Sequence, residues 1–166
     1  MASTRDFPFD SETTKGECPQ NARGEQRTAH ILARFTLADG RSFSVMTTHL
    51  DWPYPIERQQ TELAEAEAEV AKVEGPLLLV GDFNSTPWSY AMKGFAAATG
   101  LTRETHNLPT YPELFTLRRL VPTVSFLPLD QVFQRNIIVH ELHRGAPTGS
   151  DHLPVIFSFS VPPKTP

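Results

Sequence analysis

The sequence predicts an α/β fold, mainly one mixed sheet covered by two helices, and three observations carry that expectation. A β-hairpin pattern begins near Ala29, the run Leu77-Leu78-Leu79-Val80 reads as a strand buried on both faces, and a stretch with helical spacing lies on either side of that run. The chain has 166 residues, 39% hydrophobic and 20% charged, which is ordinary globular usage and implies one domain. Residues 1–26 read as an irregular segment, 27–160 as the folded part and 161–166 as a tail.

The elements follow in order. Ala29 to Leu37 is mostly apolar, Asp39-Gly40 centres a turn, and Ser42 to Thr48 alternates with Phe43 and Val45 on one face, so a hairpin is predicted. Pro53 and Pro55 remove backbone donors and make a loop after His49. Over 55–74, Ile56, Leu63, Val70 and Val73 share a helical face, Glu62, Glu65, Glu69 and Lys72 stay polar, and Gly75-Pro76 ends the pattern. After the Leu77–Val80 strand, Thr86 as N-cap and Pro87 at the first helical position suit a helix over 87–98, packed through Met92, Phe95 and Ala96 and closed by Gly100. The 102–128 stretch holds no firm period and is predicted as a long surface excursion. Three strands follow at 129–133, 137–142 and 153–160, with a turn over 145–149.

A formal charge of −4 excludes the diffuse positive field used by non-specific duplex binders, so a polyanion must be gripped locally. Cys18 is the single cysteine, which excludes an intrachain disulfide framework and cysteine zinc sites and leaves the compartment open. Apolar runs fall short of the ~18 residues of a membrane span, and Met1–Asp10 lacks the order of a secretion signal.

Four polar clusters share one placement, at the end or mouth of an apolar strand: Thr48-His49, Asp82-Phe83-Asn84, Asp130 and Asp151-His152. Side chains at adjoining strand ends of layered α/β proteins meet in one crevice, so these groups can form one site. Their chemistry suits hydrolysis at phosphorus, which needs a positioned water, a hard cation and donors that follow the growing negative charge. Asp82 can hold and deprotonate water, Asn84 can donate to a phosphoryl oxygen, Asp151 can ligate Mg²⁺, and His49 and His152 can donate to phosphate. Asp130 can orient a histidine through its ring nitrogen. Taken singly, Asp82, Asn84 and Asp151 also read as turn residues, and His49 as an interior histidine. Their joint placement favours the site.

Other motifs are weaker. His140 and His143 point to opposite faces of an extended segment and make a poor zinc pair, and the consecutive side chains Ser150, Asp151 and His152 diverge too far for a nucleophilic triad. Arg118-Arg119 is a two-residue basic spot. Trp52, Trp88, Tyr111 and Phe115 offer faces for stacking, though aromatics of this kind are more often packing residues.

The ordered motifs Thr48-His49-Leu50, Gly81-Asp82-Phe83-Asn84, Leu129-Asp130-Gln131-Val132-Phe133 and Ser150-Asp151-His152-Leu153-Pro154 resemble the endonuclease/exonuclease/phosphatase superfamily, which includes deoxyribonuclease I. The resemblance covers roughly residues 27–160 and implies the C-terminal portion of a deoxyribonuclease I-like α/β/β/α sandwich, with its site where the sheets meet. It implies that Asp82 aligns the attacking water with Asn84 assisting, that Asp151 is the metal-site carboxylate, that His152 contacts the scissile phosphate with Asp130 behind it, and that His49 also contacts phosphate. The family pattern places an Asn and a metal-binding Glu before the His-Leu motif. Glu12, Glu17 and Glu25 precede His49, but none follows an apolar strand, so none is assigned and the chain reads as part of a longer enzyme.

The resulting expectation is a Mg²⁺- or Mn²⁺-dependent phosphoesterase acting on a phosphodiester or phosphomonoester. The substrate is a small phosphorylated molecule, a lipid head group or a short nucleic acid. Alone, the chain is expected to be weakly active, and its apolar sheet face to require the missing half or a homodimer partner. The alternative is a non-catalytic half-domain that binds a partner or self-associates.

Overall fold

The structure, a computed structural model, describes residues 11–14, 30–113 and 125–163. Cys18, Glu17, Glu25, Phe115, Arg118 and Arg119 lie outside them. The elements are β1 (Ser11–Thr14), β2 (Ile31–Thr36), β3 (Ser42–His49), α1 (Ile56–Lys72), β4 (Leu77–Asp82), α2 (Tyr90–Thr99), β5 (Thr102–Arg103), β6 (Asp130–Arg135), β7 (Ile138–Arg144) and β8 (Val155–Ser160). β1 to β6 form a six-stranded mixed sheet in the order β1-β2-β3-β4-β6-β5, and β7 and β8 form a separate two-stranded sheet.

The β2–β3 hairpin turns through Asp39 and Gly40, whose φ of +83° suits glycine. β4 runs parallel to β3, as a crossover through α1 requires, and antiparallel to β6. Its alternation sorts the core into two layers. Leu77 and Leu79 face α1 and α2, joining Met46, Leu63, Val70, Met92 and a ring cluster of Phe83, Phe95 and Phe133. Leu78 and Val80 face the other way, with Phe43, Val45 and Val132, and meet Val139, Leu142, Val155 and Phe157 of the β7–β8 sheet.

Several sequence expectations change. Ser11–Thr14, placed in an irregular segment, pairs antiparallel with β2 at the sheet edge. An edge strand pairs through main-chain groups and needs no apolar alternation, so its composition hid it. Val161, placed in the tail, is buried in the second core layer and its carbonyl accepts from Arg41 Nη1. The second helix starts at Tyr90 rather than 87, because Ser89 is the N-cap, its Oγ accepting from Met92 N at 3.1 Å. Thr86 instead opens the preceding turn, its carbonyl accepting from Ser89 N at 3.0 Å. Gly100 closes that helix in the left-handed conformation, φ 65°. Ile56, assigned to the apolar face of α1, is 54% exposed, and Glu62, assigned to the polar face, is buried. The apolar sheet face expected to be bare carries the β7–β8 sheet. Among the described residues, no helix is long and apolar enough to cross a membrane.

Candidate active site

The strand register draws three of the polar clusters into one row. His49 of β3 is the cross-strand partner of Asp82 in β4, and Asp82 is the partner of Asp130 in β6. Residues paired across a sheet project from the same face, and strand parity puts this row on the face of Val45, Val80 and Val132, toward the second sheet. His152, from the loop leading into β8, closes on the row. Its Nδ1 lies 2.7 Å from Asp130 Oδ2, and its Nε2 lies 3.6 Å from Asp82 Oδ2. His49 Nε2 also lies 3.6 Å from Asp82 Oδ2, but its ring is mostly exposed.

Gly81 makes the close approach of β3 and β4 possible. Its φ is +153°, and a Cβ there would meet the Thr48 carbonyl oxygen at 1.9 Å. Immediately after β4, Asn84 adopts φ 45°, its backbone N–H donating to Asp82 Oδ1 at 2.8 Å in an Asx turn. The buried Asn84 side chain donates from Nδ2 to the Leu50 carbonyl at 2.6 Å and so ties the two motif loops together. Burial pushes the Asp82 carboxyl above the usual carboxylate range. The Asn84 N–H opposes this, the Asp130 charge adds to it, and His152 and His49 oppose it.

Asp82, Asp130 and His152 bring their ligand atoms within 4.8 Å of one another. Asp151 is exposed, outside that group, and its Oδ1 accepts from Ser150 Oγ at 3.4 Å. Thus the structure gathers His49, Asp82, Asp130 and His152 around one point, sets Asn84 beneath the loop as a brace, and leaves Asp151 at the margin. His140 bonds Ser160 Oγ at 3.0 Å, away from the site.

A supporting network escaped the sequence reading. Gln59 and Glu62 of α1 are buried and hold the loop after β3: Gln59 Nε2 donates to the Asp51 carbonyl at 2.8 Å, and Asp51 N donates to Glu62 Oε2 at 2.7 Å. Gln59 Oε1 accepts from Ser85 Oγ at 3.1 Å. The signal was available, since Gln59 sits four positions before Leu63 and Glu62 four before Ala66 on the inward face. On the other side, Tyr111 packs its ring 4.8 Å from the His152 ring, and Leu153 N donates to the Thr110 carbonyl at 2.9 Å.

The arrangement holds an oriented imidazole and a desolvated carboxylate at the end of a sheet, groups that can position a water and a proton donor at one point. Solved structures share this fold. D. rerio TDP2 complexed with a single-strand DNA product superposes with a TM-score of 0.66 at 17% identity, over 92% of this chain and 68% of that one. The inositol polyphosphate 5-phosphatase domain of spSynaptojanin, in complex with inositol (1,4)-bisphosphate and calcium ion, gives 0.63 at 14% identity, over 90% and 54%. A UPF0294 protein of Vibrio cholerae serotype O1 (strain ATCC 39315 / El Tor Inaba N16961) is 28% identical over 130 residues, 78% of this chain, and the match spans 44% of that relative's length. The model of the Endonuclease/Exonuclease/phosphatase family matches residues 5–152, from before the edge strand through the site histidine. With four motifs, their register and that match in agreement, the chain belongs to the endonuclease/exonuclease/phosphatase family.

Proposed function

We propose that this chain carries the catalytic face of a metal-dependent phosphoesterase that hydrolyses a phosphodiester or phosphomonoester by attack of water. The observation that carries the reading is the Asp130–His152–Asp82 arrangement, with 2.7 Å and 3.6 Å between successive groups. Asp130 fixes the Nδ1–H tautomer of His152, so Nε2 is the atom that faces substrate and, when protonated, donates to a phosphoryl oxygen. Asp82, its carboxyl raised by burial, orients the water and accepts its proton as the bond to phosphorus forms. His49 at the exposed rim contacts another phosphoryl oxygen. Asn84 uses one amide hydrogen on Leu50 and has a second to offer the phosphate.

The donor set fits a hard cation, since Asp82 and Asp130 bring carboxylate oxygens together with the His152 ring within 4.8 Å, and Mg²⁺ is commonly held by one or two carboxylates plus substrate phosphate. Mg²⁺ or Mn²⁺ held by Asp82 and Asp130, the carboxylates of that group, would neutralise the non-bridging oxygens, whereas Asp151, the ligand the motifs imply, lies outside the group. Neighbours whose structures hold single-strand DNA or an inositol bisphosphate support a phosphate-ester substrate, either a short nucleic acid or a small phosphorylated molecule.

The test is hydrolysis of bis(p-nitrophenyl) phosphate with Mg²⁺ or Mn²⁺, with and without chelator. It is run on this chain and on the chain joined to any N-terminal segment its gene encodes. Chelator-sensitive turnover that Asp82→Asn abolishes is the expected result. Absence of turnover from both proteins would favour the non-catalytic binding reading.

A further inference from the structure

We infer that Trp52 sets the substrate specificity of this site by stacking on the nucleobase of a nucleotide phosphate ester, an inference that rests on the phosphoesterase reading above. Trp52 is 52% exposed, yet the backbone that carries it is held from both sides. Leu50 N donates to the Asp82 carbonyl at 2.9 Å, and the main-chain groups of Asp51 bond Glu62 and Gln59. Trp52 lines one groove together with the exposed Ile56 and Tyr90, and an exposed apolar patch of this kind marks a binding surface.

A line of rings leads from that surface to the chemistry. Trp52 packs edge-on against Tyr111, centroids 5.8 Å apart at 68°, and Tyr111 packs 4.8 Å from the His152 imidazole. On the helix side of the sheet, the groove that Trp52 lines, about 660 Å³ between α1 and α2, is also lined by Asn84, Leu63 and Leu129. Two ring contacts separate the imidazole from the indole. A planar group bonded directly to the phosphate is too short to cover both. A base joined to its phosphate through a sugar has the needed spacer, and every base offers a π-face that stacks on an aromatic ring. The net charge of −4 favours a mononucleotide or short single strand over a long duplex.

The test measures binding separately from turnover. In a Trp88→Phe background Trp52 is the one remaining tryptophan, since the chain has two, so its emission reports on the site. The full chain is titrated with AMP and with ribose 5-phosphate, which carries the same phosphate and sugar without the base. AMP should quench the emission and bind about 5- to 100-fold more tightly. By calorimetry, Trp52→Ala in the native background should erase that preference while leaving ribose 5-phosphate binding unchanged, and Trp52→Phe should keep most of it. Equal affinity for the two ligands, no AMP binding, or a Trp52→Ala loss shared equally by both would overturn the inference. Base-selective binding by a protein that hydrolyses no phosphate ester would instead sustain the stacking role and overturn the phosphoesterase reading. Turnover without base preference would do the reverse.

Discussion

Asp130 Oδ2 and His152 Nδ1 lie 2.7 Å apart, joining a strand of the main sheet to the loop that enters the second sheet. The carboxylate engages Nδ1 of the imidazole and leaves Nε2 turned toward Asp82. Asp130→Asn preserves the shape and can accept or donate, so the ring loses its enforced tautomer. In the phosphoesterase reading kcat should fall by about 10²-fold or more while KM changes little. Steady-state kinetics on the two proteins, at matched thermal stability, decide it, and an unchanged kcat would remove Asp130 from the mechanism.

Asp82 supplies a pH signature of stability. Its folded-state carboxyl titrates above the ordinary value of 3.8, chiefly through burial, so over the interval between the two values the folded state binds more protons than the unfolded chain. Stability associated with the protonated group is present below about 3.8 and is lost as pH rises through the folded value. Asp82→Asn carries no charge to desolvate, so without metal its melting temperature should exceed that of the parent at pH 7, the gain shrinking toward pH 4. Parallel melting curves across that range would contradict the assignment.

Gly81 is the position where a side chain is least tolerable. A methyl group there would run into the Thr48 carbonyl, a backbone atom that cannot move aside alone. Gly81→Ala should cost about 2–3 kcal/mol and displace His49 and Asp82 together. Denaturant unfolding measures the loss, and a variant of parental stability would show that β3 and β4 approach less closely than described.

The start of α2 is tested by two caps. Ser89→Ala removes an acceptor from Met92 N and should cost about 1 kcal/mol, lowering the melting temperature by about 2–4 °C. Thr86→Ala should cost less, because Thr86 contributes its backbone carbonyl to the turn, and that carbonyl survives the substitution.

How far these features can be read before folding depends on whether they are local. The Leu77–Val80 run, the Asp39-Gly40 turn and the Gly100 stop announce themselves, because burial on two faces and left-handed backbone leave signatures within a few residues. Strand order does not. Ser89 and Thr86 are both competent caps, and the choice between them turns on where Met92 and Phe95 must land in the core. Ser11–Thr14 pairs by main-chain bonds that composition does not encode. Glu62 reads as a solvated charge until the Asp51 N–H arrives over it from another element. Within the site, motif order named His49, Asp82, Asn84, Asp130, Asp151 and His152 as a group, from which Asp151 stands apart, whereas the loop under Trp52 depends on Gln59 and Glu62, which belong to no motif.

The row His49–Asp82–Asp130 is assembled from strands that are not neighbours in sequence, with α1 between β3 and β4 and with α2 and β5 between β4 and β6. None of its members can meet until these distant pairings have closed, and closing long loops is the slow, entropically costly part of building a sheet. Packing of α1 and α2 on Leu77, Leu79 and Phe83 can precede that moment without creating the row. A partly folded chain would therefore show helix signal and buried phenylalanines while remaining chemically inert, and ligand capture at the row would become the last event to be recovered on refolding.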